Sequence, residues 1–297
     1  MPWQTQDFAA DSGPTRFRES PLALGLRRIL RKRSSRVALF VLGVIVLVGL
    51  LAPLVAPYNP AAQPDIVGLK DLPPSFAHPF GTDPYSRDVL SRVIYGARLS
   101  LMIGVLATIV SLTVGVAYGA ISGYAGGVLD SIMMRLLDAF LSIPRLLLLI
   151  GVLVAWPNFS VGALVVFLGL TGWFGLSRIV RGQVLALKHA EFVTAAQALG
   201  ASRRRVLWKH LLPNIVSPIV VAATLGVAHV IVLEAGLSYL GIGVAPPLAS
   251  WGNIIRDGSD QVATLWWMAL FPGLFMVLTV MTLNILAEAL SDAYERR

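Results

Sequence analysis

Long apolar runs divide this chain into segments that could each cross a lipid bilayer. The first run, residues 37–56, holds twenty residues without a charge, enough for about 30 Å of hydrocarbon at about 1.5 Å per helical residue. Because a bilayer offers the backbone no hydrogen-bonding partner, such runs must be helical. The pattern predicts an all-α polytopic membrane protein with six transmembrane helices, at residues 37–56, 99–121, 131–155, 161–177, 215–233 and 265–286.

Composition supports lipid rather than water as the main solvent. Of 297 residues, 56% are hydrophobic and 13% charged, and the mean hydropathy is +0.74, whereas soluble domains carry about 25% charged residues. A net charge of +8 would suggest nucleic acid in a soluble protein, but here the basic residues flank apolar runs, so no nucleic acid is expected. The chain has no cysteine, which excludes disulfides, thiolate metal sites and a cysteine nucleophile.

The placement of basic residues predicts the orientation of the spans. Cytoplasmic connections carry an excess of Lys and Arg. The segments assigned inside hold seventeen basic residues and the two long segments assigned outside hold five, so both termini are expected in the cytoplasm. Trp251, Trp266 and Trp267 fit an interfacial aromatic belt.

This orientation divides the chain into five predicted regions. They are a basic cytoplasmic segment 1–36, a first span 37–56, an extracytoplasmic segment 57–98, a five-helix core 99–290 with a cytoplasmic loop at 182–214, and a cytoplasmic tail 291–297. The first run is longer than a signal-peptide core and lacks a small-residue cleavage site, so it is expected to remain as a span.

Small residues recur at every fourth position of the second predicted span. Four-residue steps keep them on one helical face, where small side chains let two backbones approach. We expect a packing face formed by Ala107, Ser111, Gly115, Gly119 and Gly123.

The loop between the fourth and fifth spans predicts a helix–turn–helix unit. Residues 193–199 form a short helical pattern, Gly200 suits the left-handed residue after a helix, and Ser202 suits the N-cap of the next. The second helix would end near Pro213 and carry an apolar stripe of Val206, Leu207, His210 and Leu211.

Thr194-Ala195-Ala196, Gly200 and Leu212-Pro213 in this loop resemble the EAA loop of ABC importer permeases. In that family the loop forms a coupling helix that docks on the ATPase subunit. The usual acidic first position is Thr194 here, so Glu191 or Arg203–Arg205 would supply ionic contacts; an ordinary cytoplasmic connection is the alternative. The resemblance implies coupling roles for Glu191, Thr194, Ala195, Ala196, Leu199, Gly200, Ala201, Arg203, Arg204, Arg205, Leu212 and Pro213.

Further motifs are similar to those of the C-type subunit of the dipeptide/oligopeptide/nickel permease family. They are Phe80-Gly-Thr-Asp83, Arg87-Asp88-Val-Leu-Ser-Arg92, Ser142-Ile-Pro144, Leu237-Ser-Tyr-Leu-Gly-Ile-Gly243 and Ser250-Trp-Gly252, with Ser86 in place of a usual glycine. The resemblance implies a type I importer fold in a bacterial or archaeal cytoplasmic membrane. It also implies a B-type permease partner, two ATP-binding subunits, an extracytoplasmic binding protein, and peptides or a related solute such as nickel as cargo.

Missing motifs narrow the function further. The chain has no Gly-x-x-x-x-Gly-Lys-Ser/Thr loop for ATP, and its four histidines lack zinc spacing. We therefore expect no enzyme activity and no cofactor. An ion-coupled secondary transporter and a membrane-embedded hydrolase or transferase are the rival classes, although no half-to-half repeat or catalytic constellation favours them.

Polar residues inside the spans are candidates for the pathway or for helix packing. Arg135 and Asp138 can pair at i and i+3, and Pro144 should bend the third span. Beside it, Arg145 could line a cavity or reach towards the interface. The other two candidates, His229 and Glu234, are open to either a packing or a pathway role.

Overall fold

The computed structural model describes residues 32–156 and 159–295. Most of the predicted basic segment 1–36, and Arg296 and Arg297 of the predicted tail, lie outside this range. Long helices dominate the rest, in the order α1 (Arg33–Leu50), α2 (Ala52–Val55), α3 (Val89–Ala125), α4 (Gly127–Leu141), α5 (Arg145–Ala155), α6 (Val161–Leu187), α7 (Glu191–Ala198), α8 (Arg203–Arg205), α9 (Leu212–Asn214), α10 (Val216–Tyr239), α11 (Trp251–Asp257) and α12 (Trp266–Glu295).

The all-α membrane architecture is confirmed. Among the described residues, five helices are long and apolar enough to cross a bilayer, namely α1, α3, α6, α10 and α12. The third predicted span is instead two helices, α4 and α5, bent by 74° at a short break, and it makes a sixth span if the pair crosses as one. Within the described ranges the only β-type pairing is an isolated bridge between Thr82 and Asp88.

The break in this span follows from its sequence. Ser142 closes α4, and Pro144 stands as the N-cap of α5 with an extended ψ of 123°. Proline has no N–H to donate and disfavours helical backbone at the residue before it. The expected bend at Pro144 is therefore present, and it changes the direction of the chain beside Arg145.

The second span begins ten residues before the predicted start at Leu99, because α3 starts at Val89. Asp88 is its N-cap, and the carboxylate accepts hydrogen bonds from the Ser91 N–H and hydroxyl at 2.7 Å each. Hydropathy placed the start at Leu99 because Arg92 and Arg98 interrupt the apolar pattern. The predicted extracytoplasmic segment 57–98 therefore ends in ten residues of helix.

The small-residue face of α3 packs directly against α6. Ala107, Ser111, Gly115, Gly119 and Gly123 are all buried. A Cβ at Gly119 would lie 2.3 Å from the Ser177 carbonyl oxygen, and one at Gly123 would lie 2.9 Å from that of Arg181. The two backbones are thus too close for any side chain at these positions, which confirms the packing prediction.

Candidate functional site

The loop predicted at 182–214 is shorter than expected, because α6 continues to Leu187. Its first helix, α7, begins two residues before the predicted start and ends at Ala198, one residue before the predicted end. Gly200 follows it with the expected left-handed backbone, at a φ of +81°. The Gly200 N–H donates to the Gln197 carbonyl at 2.9 Å, and the Ala201 N–H donates to the Ala196 carbonyl at 3.0 Å. These two bonds form a Schellman motif, which requires the left-handed backbone that glycine adopts most easily.

The second half of the loop is less regular than the predicted helix. Ser202 does act as N-cap, accepting from the Arg205 N–H at 3.3 Å. After the single turn α8, residues Val206–Leu211 form a π-helical turn and α9 follows. Pro213 explains the wider turn, because it cannot donate a backbone hydrogen bond and its ring would clash with the Lys209 carbonyl in a regular α-helix.

This loop is held by a hydrophobic cluster beneath it. The cluster joins α3, α6, the loop and the residue before α10; its buried members are Ala120, Val180, Val184, Val193, Val206, Leu207, Leu211 and Ile215. Ala196, one turn after Val193 on α7, is also buried, at 9% exposed. The apolar stripe expected on the second helix is present, with His210 only partly buried.

The outer surface of the loop combines apolar and basic side chains. Leu199 is 89% exposed and Trp208 is 55% exposed. Thr194, Ala195, Glu191 and Pro213 are also exposed. Arg204, Arg205, Trp208 and Lys209 line an open depression beside them. Of the predicted coupling residues, most are therefore accessible, whereas Ala196 is buried and Ala201 and Leu212 are half-buried.

Ion pairs tie α4 to α6 close to this loop. The expected pair between Arg135 and Asp138 is not the one observed, since Asp138 accepts from Arg178 of α6. One turn further along α6, Arg181 donates to both carboxylate oxygens of Asp130 at 2.6 Å. The sequence spacing indicated only Arg135, which is on the same helix as Asp138. The arginine that pairs with Asp138 belongs instead to α6, which lies against α4.

Glu234 lies at the other end of the bundle and is 0% exposed. Its carboxyl accepts from Ser238 at 2.6 Å and from Ser100 of α3 at 3.0 Å. It therefore joins α10 to α3 by hydrogen bonds. The sequence left a packing or a pathway role open for Glu234, and these hydrogen bonds are packing contacts.

A buried ion cluster fixes the segment before α3 to helix α11. The Asp83 carboxylate accepts from Arg87 at 2.6 Å and from Arg92 at 2.5 Å. Asp257 of α11 binds the same two arginines at 2.7 and 2.8 Å. The i,i+4 spacing of Asp83 and Arg87 could have indicated their pairing, but Asp257 is 170 residues away from Arg87, and no local signal pointed to it.

Two tryptophans of the expected aromatic belt are buried instead. Trp251 is 0% and Trp267 is 4% exposed. Their indole N–H groups donate to the Val93 and Thr82 carbonyls at 3.2 and 3.1 Å, so of the three only Trp266 retains an exposed ring.

In the segment before α3, hydrogen bonds from the Gly68 and Val67 N–H groups hold the pKa of Asp65 below its usual value.

Comparison with known proteins gives matches over nearly the whole chain. Residues 115–297 match the family model described as the binding-protein-dependent transport system inner membrane component. Residues 20–74 match the model of the N-terminal TM domain of oligopeptide transport permease C.

Named relatives cover most of both sequences. The chain is 40% identical to the oligopeptide transport system permease protein OppC of Bacillus subtilis over 291 residues, 97% of this chain and 94% of that protein. It is also 40% identical to the dipeptide transport system permease protein DppC of Bacillus subtilis, covering 91% of this chain and 83% of the relative. The oligopeptide permease OppC of Haemophilus influenzae is 36% identical, over 91% of this chain and 86% of that protein.

A solved structure shares the fold. An inward-facing form of the MetNI methionine ABC transporter matches with a TM-score of 0.54 at 16% identity, covering 67% of this chain and 96% of the other. The importer-permease fold implied by the sequence motifs is thereby confirmed. This chain belongs to the family of binding-protein-dependent transport system inner membrane components, and it is a multi-pass permease subunit of an ABC transporter.

Proposed function

We propose that this chain forms half of the translocation pathway of a peptide importer, beside a B-type permease, and that separate subunits hydrolyse ATP. The loop around α7 carries the proposal: it presents exposed apolar and basic side chains while its inner face is fixed to α3 and α6. The relatives named as dipeptide and oligopeptide permeases make peptides the favoured cargo.

The loop is built to pass motion into the bundle. Val193 and Leu211 are both 0% exposed and pack against Val180 and Val184 of α6. A force on the exposed Leu199 or Arg203–Arg205 would therefore move α6 and, through the tight contact at Gly119, also α3. On this proposal, ATP-driven closure of two ATPase subunits moves these helices and favours the outward-open state.

The opposite end of the molecule is the proposed receiving surface for an extracytoplasmic binding protein. Val67 is 88% exposed and Phe76 is fully exposed in the segment before α3. The Asp83 ion cluster anchors this segment to α3 and α11, so contact there reaches α3 directly and α10 through α11. This assignment places both chain termini in the cytoplasm of a bacterial or archaeal cell.

Replacing Gly200 tests the coupling role. Valine at φ +81° is strongly disfavoured because its β-branched side chain clashes with the backbone, although no atom lies within 4 Å of an added Cβ. In proteoliposomes holding the whole importer, we expect Gly200→Val to insert normally but to lose the ATP hydrolysis that substrate-loaded binding protein stimulates. Gly200→Asn, which tolerates left-handed backbone, should retain most of it.

Gly127→Val is the matched control. Gly127 also has a positive φ, +57°, with open space around it, but it is the first residue of α4, outside the loop. If Gly200→Val keeps full stimulation, or if both variants lose it equally, the loop has no special coupling role. Peptide uptake abolished by a protonophore but insensitive to ATP depletion would instead identify an ion-coupled transporter.

A further inference from the structure

A small cavity with mixed polar and apolar walls lies between α3, α6 and α10, beside the break that precedes α5. It has a volume of about 90 Å³, while one water occupies roughly 30 Å³ in the liquid. A carboxylate group or a halide ion would therefore fit. Its polar lining consists of Thr108, Ser111, Arg145 and His229, and its other walls include Gly172 and Gly226.

Arg145 brings an uncompensated positive charge to this cavity. Two arginines of α6 bind carboxylates: Arg178 binds Asp138 and Arg181 binds Asp130. In the parts of the chain that are described, no carboxylate forms an ion pair with Arg145. Its Nε donates to the Thr171 hydroxyl at 3.2 Å and its Nη2 donates to the Leu168 carbonyl at 2.8 Å, which leaves three of the five guanidinium N–H bonds for another acceptor.

Thr108 gives a second and independent indication of a ligand. It is 4% exposed and lines the cavity, yet its hydroxyl has no hydrogen-bonding partner among the described residues. Buried hydroxyl groups are nearly always paired, so an unpaired one in a residue that lines the cavity indicates a missing partner.

Two glycines keep the space open. A Cβ at Gly172 would lie 2.4 Å from the Ser111 hydroxyl oxygen and 3.0 Å from Arg145 Nη2, and one at Gly226 would lie 3.3 Å from Thr108 Cγ2. The charge, the unpaired hydroxyl and the absent side chains therefore converge on one volume.

We propose that this cavity is an anion site in which Arg145 and Thr108 hold a carboxylate. A positive charge at membrane depth is costly unless it is compensated, and an arginine binds a planar carboxylate through paired N–H groups. The anion would be the terminal carboxylate of a transported peptide, which rests on the proposed function, or a small free anion that occupies the site permanently. Both sources share the same recognition chemistry.

Thermal unfolding of the purified complex tests the site without relying on transport. Sodium acetate or chloride is exchanged for sodium gluconate, too bulky for the cavity, at constant ionic strength. We expect the small anions to raise the Tm of the wild type, and Arg145→Gln and the cavity-filling Gly172→Ala to abolish that rise. Thr108→Val should weaken it, whereas Thr224→Val should not, because the Thr224 hydroxyl donates to Val220 within α10 at 2.9 Å. A Tm without anion dependence, or the same dependence in Arg145→Gln, would overturn the proposal.

Uptake kinetics then identify the source of the anion. If a peptide carboxylate occupies the site, Arg145→Gln should raise the KM for the dipeptide alanylalanine about tenfold or more, since a charge-assisted hydrogen bond is lost, and Arg145→Lys should restore part of it. An unchanged KM together with loss of the Tm effect assigns the site to a free anion. Absence of peptide uptake by the wild type would contradict the proposed function and would leave the Tm result standing.

Discussion

Asp83 is fully buried in the segment before α3, where its carboxylate contacts both Arg87 and Arg92. Its other oxygen accepts from the backbone N–H groups of Tyr85 and Arg87 at 2.9 Å each. Four donors thus depend on one side chain. Because the arginines are themselves less than a tenth exposed, removing this acceptor leaves positive charge in a poorly hydrated place.

Asp83→Ala should therefore destabilise the segment strongly. Breaking a buried ion pair by removing one partner costs about 3–5 kcal/mol, although Asp257 would retain part of the compensation. We expect a clear fall in the Tm of the purified complex. Asp260→Asn, at an exposed position three residues after Asp257, should leave Tm unchanged. Equal Tm values for Asp83→Ala and the wild type would contradict the role assigned to the cluster.

Ser86 is a strained position in this segment. Its φ is +60°, in the left-handed region that disfavours residues with a Cβ by about 1–2 kcal/mol, and its buried hydroxyl has no partner among the described residues. Ser86→Gly should therefore raise Tm. Ser142→Gly, at φ −69°, relieves no such strain and should not. A lower Tm for Ser86→Gly would show that the hydroxyl has a contact that outweighs the strain.

Single residues were predictable where backbone geometry alone dictates their type. Gly200 and Ser202 occupy the left-handed and N-cap positions expected of them, because those roles depend on neighbours a few residues away. The partners of Asp138 and Arg87 were not predictable, since Arg178 and Asp257 approach from other helices. Spacing along one helix reports only the local alternatives.

At the scale of helices, the apolar run marks the membrane-embedded part but not the helix end. α3 begins before Leu99, α6 continues beyond Ser177 to Leu187, and α10 continues beyond Leu233 to Tyr239. Three charged residues of these extensions are compensated: Arg92 by Asp83, Arg181 by Asp130, and Glu234 by serine hydroxyls. A charged residue therefore ends the apolar run without ending the helix. The partner that compensates its charge lies elsewhere in the chain and is visible only in the folded structure.

The contact between α3 and α6 gives a prediction at this scale. Gly119→Ala adds a Cβ at 2.3 Å from the Ser177 carbonyl oxygen, so the two helices must separate. Overpacking of this kind costs about 1–3 kcal/mol, and we expect a lower Tm and reduced uptake. Gly151→Ala adds the same methyl group to α5, where no atom lies within 4 Å, and should be tolerated. If both variants behave alike, the close approach is not essential.

For the whole molecule, orientation can be measured with single cysteines, because the natural chain contains none. Val67 and Leu199 are 88% and 89% exposed and lie on opposite sides of the membrane in the proposed topology. A membrane-impermeant maleimide added to intact cells or spheroplasts should label Val67→Cys, and should label Leu199→Cys only after permeabilisation. The reverse pattern would invert the topology.

The fold class, the spans and the loop could be read from sequence because hydropathy and turn chemistry are local. The 74° break, the inward position of Ala196 and the ion cluster at Asp83 depend on contacts between distant segments. The cavity that we propose as an anion site also depends on contacts between distant segments, since Thr108, Arg145 and His229 come from three different helices.

The central claim, that the loop around α7 contacts an ATPase subunit, is tested most directly by photo-crosslinking. A benzophenone maleimide attached at Leu199→Cys in the active, reconstituted importer should give a product joining this chain to the ATP-binding subunit, identified by mass spectrometry. The same probe at Val67→Cys should give none with that subunit. An active complex in which the Leu199 probe never reaches the ATPase would contradict the account.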